Sequence, residues 1–305
     1  MTQATQLIYK DAFSDMSLAG WVYEGEGEAP ELVSRNGQVF VHLIKDQVIK
    51  NRIPALPDTV YKLKAFVDKE VPVLRESIIV CKLTELDAAG NPLNQQLCYS
   101  QFLNLFYVYA ALKTSSECKF IEIALTNIPS DTLSYNIYIN DVNLFSVEME
   151  NTVILHEDFN DTIAFSYNWV MPEYPAFGFT GCLRRPVLDN VNDIMFSPYY
   201  DVHDFVTCAS KNELPFAPGE VYRVAARIKL DRNFKYSAMV AKVNVLTTEG
   251  YSYGGGLNIS TDTHAVGDDF VYYEGYFYFP EYEMTTKEFL IGGILAHMYD
   301  VTVYS

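Results

Sequence analysis

The chain has 305 residues, of which 49% are hydrophobic and 14% aromatic, with 23 Tyr, 19 Phe, five Cys and a formal charge of -17. That charge excludes nucleic acid as a partner, because neutralising phosphate takes clustered Lys and Arg and no such run exists; the acidity serves solubility and gives a capacity to hold a cation such as calcium. No apolar run approaches the roughly 20 residues that cross a bilayer, which excludes membrane insertion by helices, and a composition rich in rings fits pleated, half-buried surfaces, so the expected class is β-rich.

Met1 to Lys10 reads as a lead-in strand or arm. It lacks the basic start, apolar run and small-residue cleavage site of a signal peptide, which predicts a protein made in the cytoplasm. Asp11-Ala12-Phe13-Ser14-Asp15 then opens a first unit, and a short strand, Trp21-Val22-Tyr23, follows. Residues 24 to 31 form a polar, glycine-spaced loop carrying four carboxylates, the composition of a solvated turn. Gln38 to Lys45 alternates through Val39, Val41 and Leu43 as an edge-facing strand, and residues 45 to 52 hold the one weak helical spacing.

Pro57 is a turn, and Val60 to Asp68 is the strand it feeds. Glu76 to Leu86 is a buried strand with Ile78 and Val80 on one face and Ile79, Cys81 and Leu83 on the other. Asp87 to Pro92 is its hairpin turn. Phe102 to Leu112 sends Phe106, Val108 and Ala110 to one side and Leu105, Tyr107 and Tyr109 to the other. Lys119 to Thr126 alternates Phe120, Glu122 and Ala124 against Ile121, Ile123 and Leu125, and Ser134 to Val147 ends the unit.

The whole pattern then recurs. Pro57-Asp58-Thr59-Val60-Tyr61-Lys62 is echoed by Pro218-Gly219-Glu220-Val221-Tyr222-Arg223, and Cys81-Lys82-Leu83 with Gly90 by Ala241-Lys242-Val243 with Gly250. Tyr107-Val108-Tyr109 aligns with Tyr276-Phe277-Tyr278, and Asp141-Val142 with Asp300-Val301. The chain is therefore expected to be two copies of one unit, residues 1–150 and 151–305, joined by a short connector, Glu148 to Thr152, without the Gly and Ser of a long flexible linker. The second copy departs from the first at Met171 to Leu183, at Ser197 to Asp201 and at Tyr251 to Gly256. Five Cys are an odd number with no CxxC pair, the pattern of buried reduced thiols.

An acid and a Phe at the start, a Trp soon after, a Tyr-led strand, a Gly-turned hairpin, an aromatic strand and a closing Asp-Val strand resemble carbohydrate-binding modules of the galactose-binding-like jelly-roll type. The resemblance covers roughly residues 8–147 and 153–305. It implies an all-β chain of two tandem antiparallel β-sandwich (jelly-roll) domains. It also implies a structural calcium joining the first strand to the last, with Asp11 and Asp141 as matching acids in the first copy and Asp158 and Asp300 in the second. The alternative for these acids is a surface or turn-capping role. Where the family doubles the Asp before Val, Asn140 and Tyr299 stand here.

Sugar recognition in such modules stacks exposed rings on the apolar face of a pyranose while polar neighbours bond its hydroxyls. The loop-borne candidates are Tyr174, Phe177, Tyr199, Tyr200, Tyr251 and Tyr253, with Arg184 and Asp201 as polar partners, while Trp21 and Trp169 read as packing residues. There is no nucleophile elbow, zinc-helix or phosphate-loop motif, and the chain is expected not to be an enzyme. The leading expectation is a non-catalytic binding and assembly protein, such as a phage virion component (head decoration, tail or fibre) displayed on the virion surface. Its partners would be other virion or surface proteins and glycans, with a homo-oligomer left open. The alternative is a carbohydrate-binding protein serving polysaccharide degradation.

Overall fold

The computed structural model describes residues 3–25, 27–70, 78–99, 105–129, 135–157, 169–170, 194–196, 207–210, 214–230, 238–247, 252–259, 269–281, 284–292 and 296–305. The chain divides into two compact units, Met1–Met149 and Glu150–Ser305. Among the described residues every regular element is a strand, and no helix is long and apolar enough to cross a membrane.

The first unit contains β1 (Ala4–Asp11), β2 (Val22–Glu24), β3 (Glu31–Arg35), β4 (Gln38–Leu43), β5 (Val48–Pro54), β6 (Val60–Lys69), β7 (Ile78–Leu86), β8 (Pro92–Tyr99), β9 (Leu105–Lys113), β10 (Phe120–Pro129) and β11 (Ile137–Glu148). One sheet runs β3-β4-β11-β6-β9 with β1 also on β11, and the other runs β2-β5-β10-β7-β8. The layers β4-β11-β6-β9 and β5-β10-β7-β8 interleave as the eight strands of a jelly roll. Period-two alternation fills the space between them: Leu63, Ala65 and Val67 of β6 and Phe106 and Val108 of β9 meet Ile121, Ile123 and Leu125 of β10 and Val80 and Leu83 of β7.

The second unit contains β12 (Val153–Glu157), β13 (Trp169–Val170), β14 (Ile194–Phe196), β15 (Thr207–Ser210), β16 (Val221–Leu230), β17 (Ala238–Thr247), β18 (Ser252–Ile259), β19 (Val271–Tyr278), β20 (Met284–Gly292) and β21 (Ala296–Tyr304). Its layers, β14-β21-β16-β19 and β15-β20-β17-β18, with β12 on β21 and β13 on β15, repeat the strand order of the first unit.

The turn that heads β6 and β16 explains why its sequence occurs twice. Asp58 and Gly219 occupy the same turn position, and both adopt left-handed backbone, with φ 51° and 83°. Gly takes that conformation freely, and Asp is among the few other residues that tolerate it. Two and three residues later the chain re-enters the sheet, and the buried tyrosine hydroxyl turns back on the turn itself. Tyr61 Oη accepts the Leu56 N–H at 2.8 Å, and Tyr222 Oη accepts the Ala217 N–H at 2.7 Å while donating to the Pro215 carbonyl at 3.3 Å. Burial pushes both phenols above their ordinary pKa. Tyr61→Phe is expected to cost the first unit about 1–2 kcal/mol, because it strands a backbone N–H without removing ring packing. Chemical denaturation of the full chain measures it, and an unchanged midpoint would refute the role.

Four local expectations change. Residues 45 to 52 are a turn followed by β5, since Ile49 and Ile53 supply core contacts at even spacing. Val80 and Cys81, expected on opposite faces, both enter the core because β7 shifts register between Ile79 and Cys81. Tyr107 faces Phe66 across β6, and the residue facing Arg227, which holds the place of Phe66, is Tyr272. The match of Tyr107 to Tyr276 was thus four residues out. Finally, Asp11 pairs with Val142 and Glu157 with Val301, so Glu157 holds the place of Asp11 and Asp158 does not.

One buried cation marks the end of β6. Lys69 is 2% exposed, and its Nζ stands 5.2 Å over the Phe106 ring. Burial lowers its pKa to about 8, against about 10.4 for an unfolded lysine. Below pH 8 the ammonium is charged in both states and its burial cost is fully present; as pH rises through 8 the folded chain sheds the proton first and the cost is relieved. Stability of the first unit is therefore expected to rise from pH 8 until tyrosines begin to ionise in the unfolded chain near pH ~10. Lys69→Met should flatten that rise and add about 1–2 kcal/mol at neutral pH. Thermal unfolding across pH checks it, and an unaltered slope in the variant would refute it.

Candidate functional site

With Leu63, Ala65 and Val67 committed to the core, alternation along β6 turns Lys62, Lys64, Phe66 and Asp68 to the outer face of the first sheet. Register sets Phe66 between Tyr107 of β9 and Asn140 of β11. Ring centroids lie 6.1 Å apart for Phe40 and Phe66, 5.1 Å for Phe66 and Tyr107, and 6.3 Å for Tyr107 and Tyr109. The Lys64 ammonium sits 4.3 Å over Tyr107, a cation–π contact that steadies the ring.

Beside this row of rings lies a polar cluster. Arg35 stacks on Tyr138 at 3.8 Å and reaches Asp68 at 3.3 Å and Glu70 at 4.0 Å. His42 stacks on the same Tyr138 at 4.7 Å, between Glu31 and Asn136 at 3.2 Å each. Tyr138 and Asn136 donate to Glu70 at 2.5 and 2.8 Å, and these two bonds hold its carboxyl below the usual range. Burial, reinforced by the Glu70 bond, pushes the Tyr138 phenol up to about 12. Asp68 goes the other way from Glu70: burial raises it and Arg35 only partly offsets that.

A cleft of about 490 Å³ on this face is lined by Phe66, Tyr107, Gln38, Val39, Asn140 and Asp141 together with Ala12, Ser14 and Gly37. Its shape derives from a bulge. The register of β11 against β6 breaks between Asn140 and Asn143, and Asp141 adopts φ 49°. Asn140 Oδ1 accepts the Asp141 N–H at 2.6 Å, and Asn143 Nδ2 donates to the Asp141 carbonyl at 2.7 Å and to its carboxylate at 3.0 Å. Asp300 in β21 repeats the device with φ 55° and a register break between Ala225 and Arg227. The recurring Asp-Val is thus the residue pair of a bulge that curves the sheet.

Three of the four acids matched to a calcium site, Asp11, Asp141 and Asp300, have other partners in the described residues. Asp11 Oδ1 accepts the Phe13 N–H at 2.8 Å, while Oδ2 accepts from Trp21 Nε1 at 2.9 Å and from the Tyr9 hydroxyl at 3.0 Å. That leaves a carboxylate with most of its lone pairs engaged. The neighbours of Asp141 and Asp300 are basic: Lys10 at 3.8 Å from the first, His156 at 3.6 Å and Arg227 at 3.7 Å from the second. Calcium takes six to eight oxygens, and among the described residues no group of three or more His, Cys, Asp or Glu is gathered to hold a metal. Asp158 lies outside the described residues.

Tyr174, Phe177, Arg184, Tyr199, Tyr200, Asp201 and Tyr251 also lie outside the described residues. Tyr253 falls on β18, opposite Val245 at the edge of its sheet. Trp21 is buried, with Tyr9 edge-on at 6.4 Å and Phe13 at 5.8 Å, as a packing residue should be. The cleft residues Phe66, Gln38 and Asn140 escaped sequence reasoning. A usable signal existed for one: Phe66 is an apolar ring on the same parity as Lys62, Lys64 and Asp68.

The second unit carries a related but differently charged face. Arg223, in the place of Lys62, stacks on Tyr304 at 3.8 Å, as Lys62 faces Phe145 at 5.7 Å. It also pairs with Glu274 at 3.5 Å, and Glu274 accepts from Tyr276 at 2.8 Å. Where the first unit sets Phe66 against Tyr107, the second sets Arg227 against Tyr272, which is 45% exposed.

No family model and no curated protein matches the chain. Solved structures to which it is similar include the N-terminal CBM22-1–CBM22-2 tandem domain of Paenibacillus barcinonensis Xyn10C, at 8% identity and a TM-score of 0.38 over 100% of this chain and 98% of that one. Others are the K3 cleaved adhesin domain of Lys-gingipain from Porphyromonas gingivalis (12%, TM-score 0.33, 47% of this chain and 99% of that one) and the enzymatically active domain of bacteriophage CBA120 tailspike protein 4 (9%, TM-score 0.34, 45% and 21%). The jelly-roll assignment rests on the strand order described above.

Proposed function

We propose that this protein is a non-catalytic glycan-binding protein whose first unit receives a pyranose in the cleft on the outer face of the β3-β4-β11-β6-β9 sheet. The observation that carries the reading is the Phe66–Tyr107 ring pair, 5.1 Å apart and partly exposed, beside the hydrogen-bonding groups of Gln38, Asn140 and Asp141. A sugar ring has apolar C–H faces and a polar rim. Adjacent aromatic rings stack on the first, and the amide and carboxylate groups that line the cleft bond the second. A glycan array with the purified full chain, followed by titration of the best ligand, tests this, and retention of no glycan would overturn it.

Attachment or assembly as a virion component and attachment to a polysaccharide undergoing degradation would use the same cleft. Sedimentation separates them: a monomer that binds soluble polysaccharide favours the degradative setting, and a self-associating or particle-bound form favours the virion.

A further inference from the structure

Two of the five cysteines meet across a hairpin. The β7–β8 turn is fixed by Asp87, whose Oδ1 accepts the Ala89 and Asn91 N–H groups at 2.8 Å each and whose Oδ2 accepts from Asn91 Nδ2 at 2.8 Å. From that turn the register runs Leu83 opposite Gln96, Lys82 opposite Leu97 and Cys81 directly opposite Cys98. Both cysteines are free and belong to the buried core, the Cys81 thiol 3.9 Å from the Lys82 carbonyl and the Cys98 thiol 3.9 Å from the Tyr109 carbonyl. Two small apolar residues would pack there equally well. What distinguishes the pair is its placement: directly opposed residues of an antiparallel ladder have Cα separations of about 4.5–5.5 Å, inside the range that a disulfide spans.

We propose that Cys81 and Cys98 form a latent cross-strand disulfide site, closed by a diffusible disulfide such as oxidised glutathione, that pins β8 to the sheet. The strand needs pinning because it is the outermost of its sheet, with Pro92 to Gln95 exposed, and it pairs only with β7 within that sheet. Such edges open locally at lower cost than the core, and opening is what admits the oxidant. The thiolate of Cys98 attacks one sulfur of oxidised glutathione and expels a glutathione thiolate. The thiolate of Cys81 then attacks the Cys98 sulfur of that mixed disulfide, forming the Cys81–Cys98 bond and expelling the second glutathione thiolate. Two electrons pass to glutathione, and the two protons lost by the protein end on the two glutathione thiols.

Contact with Cys98 and burial both hold the Cys81 thiol well above its ordinary pKa, so closure is slow near neutrality and accelerates with pH. Cys118 serves as an internal control, since its buried thiol faces the Phe120 carbonyl at 3.6 Å.

The experiment treats the reduced full chain with oxidised glutathione at mildly alkaline pH, alkylates in denaturant and maps the peptides. The expected result is a Cys81–Cys98 cross-linked peptide pair, loss of the mass of two hydrogen atoms, alkylated Cys118 and a melting transition raised by several degrees. Recovery of Cys81 and Cys98 as alkylated thiols or as glutathione adducts, with circular dichroism unchanged, would overturn the site; so would a linked protein that melts no higher than the reduced one. Because the comparison is between redox states of the unaltered chain, no substitution has to fold for it to be decisive.

Discussion

Trp21→Ala is expected to cost the first unit about 3–5 kcal/mol, the range for removing a large buried ring, and to lower its melting transition by about 10 °C. The indole is 8% exposed and lies against Tyr9 and Phe13. Truncation does more than open a cavity. It takes a donor from Asp11, whose carboxylate also holds the Phe13 N–H and the Tyr9 hydroxyl, and Asn51 donates in turn to Tyr9 at 2.9 Å. The chain from Asn51 through Tyr9 and Asp11 to Trp21 thereby ties β5, β1 and the segment before β2 into one closure. Trp21→Phe keeps most of the ring but loses the Nε1–H, so it should fall between wild type and alanine, about 1–2 kcal/mol below wild type. Scanning calorimetry of the full chain measures both. A Trp21→Ala protein within about 1 kcal/mol of wild type would mean the closure is not what holds the first strand.

Tyr107→Ala and Phe66→Ala are each expected to weaken glycan binding by about 10- to 100-fold, equivalent to about 1.4–2.8 kcal/mol, as for loss of an aromatic anchor at a binding surface. Neither should shift melting by more than about 2 °C, because both rings stand on the outer face, outside the core cluster. Tyr107→Phe retains the stacking face and should bind within a few-fold of wild type. Asn140→Ala is a poor probe by comparison, since its Oδ1 holds the Asp141 N–H and the substitution would disturb the bulge itself. Titration calorimetry reads affinity and thermal scanning reads stability on the same samples. Wild-type affinity in both alanine variants would remove the cleft from the binding site.

Much of the architecture was legible because a sandwich strand writes its two faces at a period of two. The alternation of Phe106, Val108 and Ala110 against Tyr107 and Tyr109 already assigned those rings to opposite sides, and the doubled Pro-x-x-Val-Tyr announced two copies. Repetition of similar residues also misled. Tyrosines recur along β19 at 272, 273, 276 and 278, and only hydrogen-bond register shows that Tyr272 is the counterpart of Tyr107. Bulges were invisible for a related reason: an inserted residue leaves no composition signal, so Val80 and Cys81 read as opposed while the shift near Ile79 puts both inside. The cleft was hidden by separation along the chain. Gln38, Phe66, Tyr107 and Asn140 come from four strands, and no local window contains two of them. Attention to the divergent loops of the second copy therefore passed over a face whose rings and amides stand on strands.

The paired bulges at Asp141 and Asp300 have a consequence for how such a protein can change. Both copies keep the same backbone frame, down to the left-handed residue and a basic neighbour reaching it from the first strand, Lys10 in one and His156 in the other. The outward positions on that frame are occupied by different chemistry, a phenyl ring at 66 and a guanidinium at 227. Side chains at those positions lie outside the core cluster, so exchanging them costs folding little. The repeated frame thus presents two outer faces of unlike polarity, and outward residues on one can change without altering the bulge that the other shares.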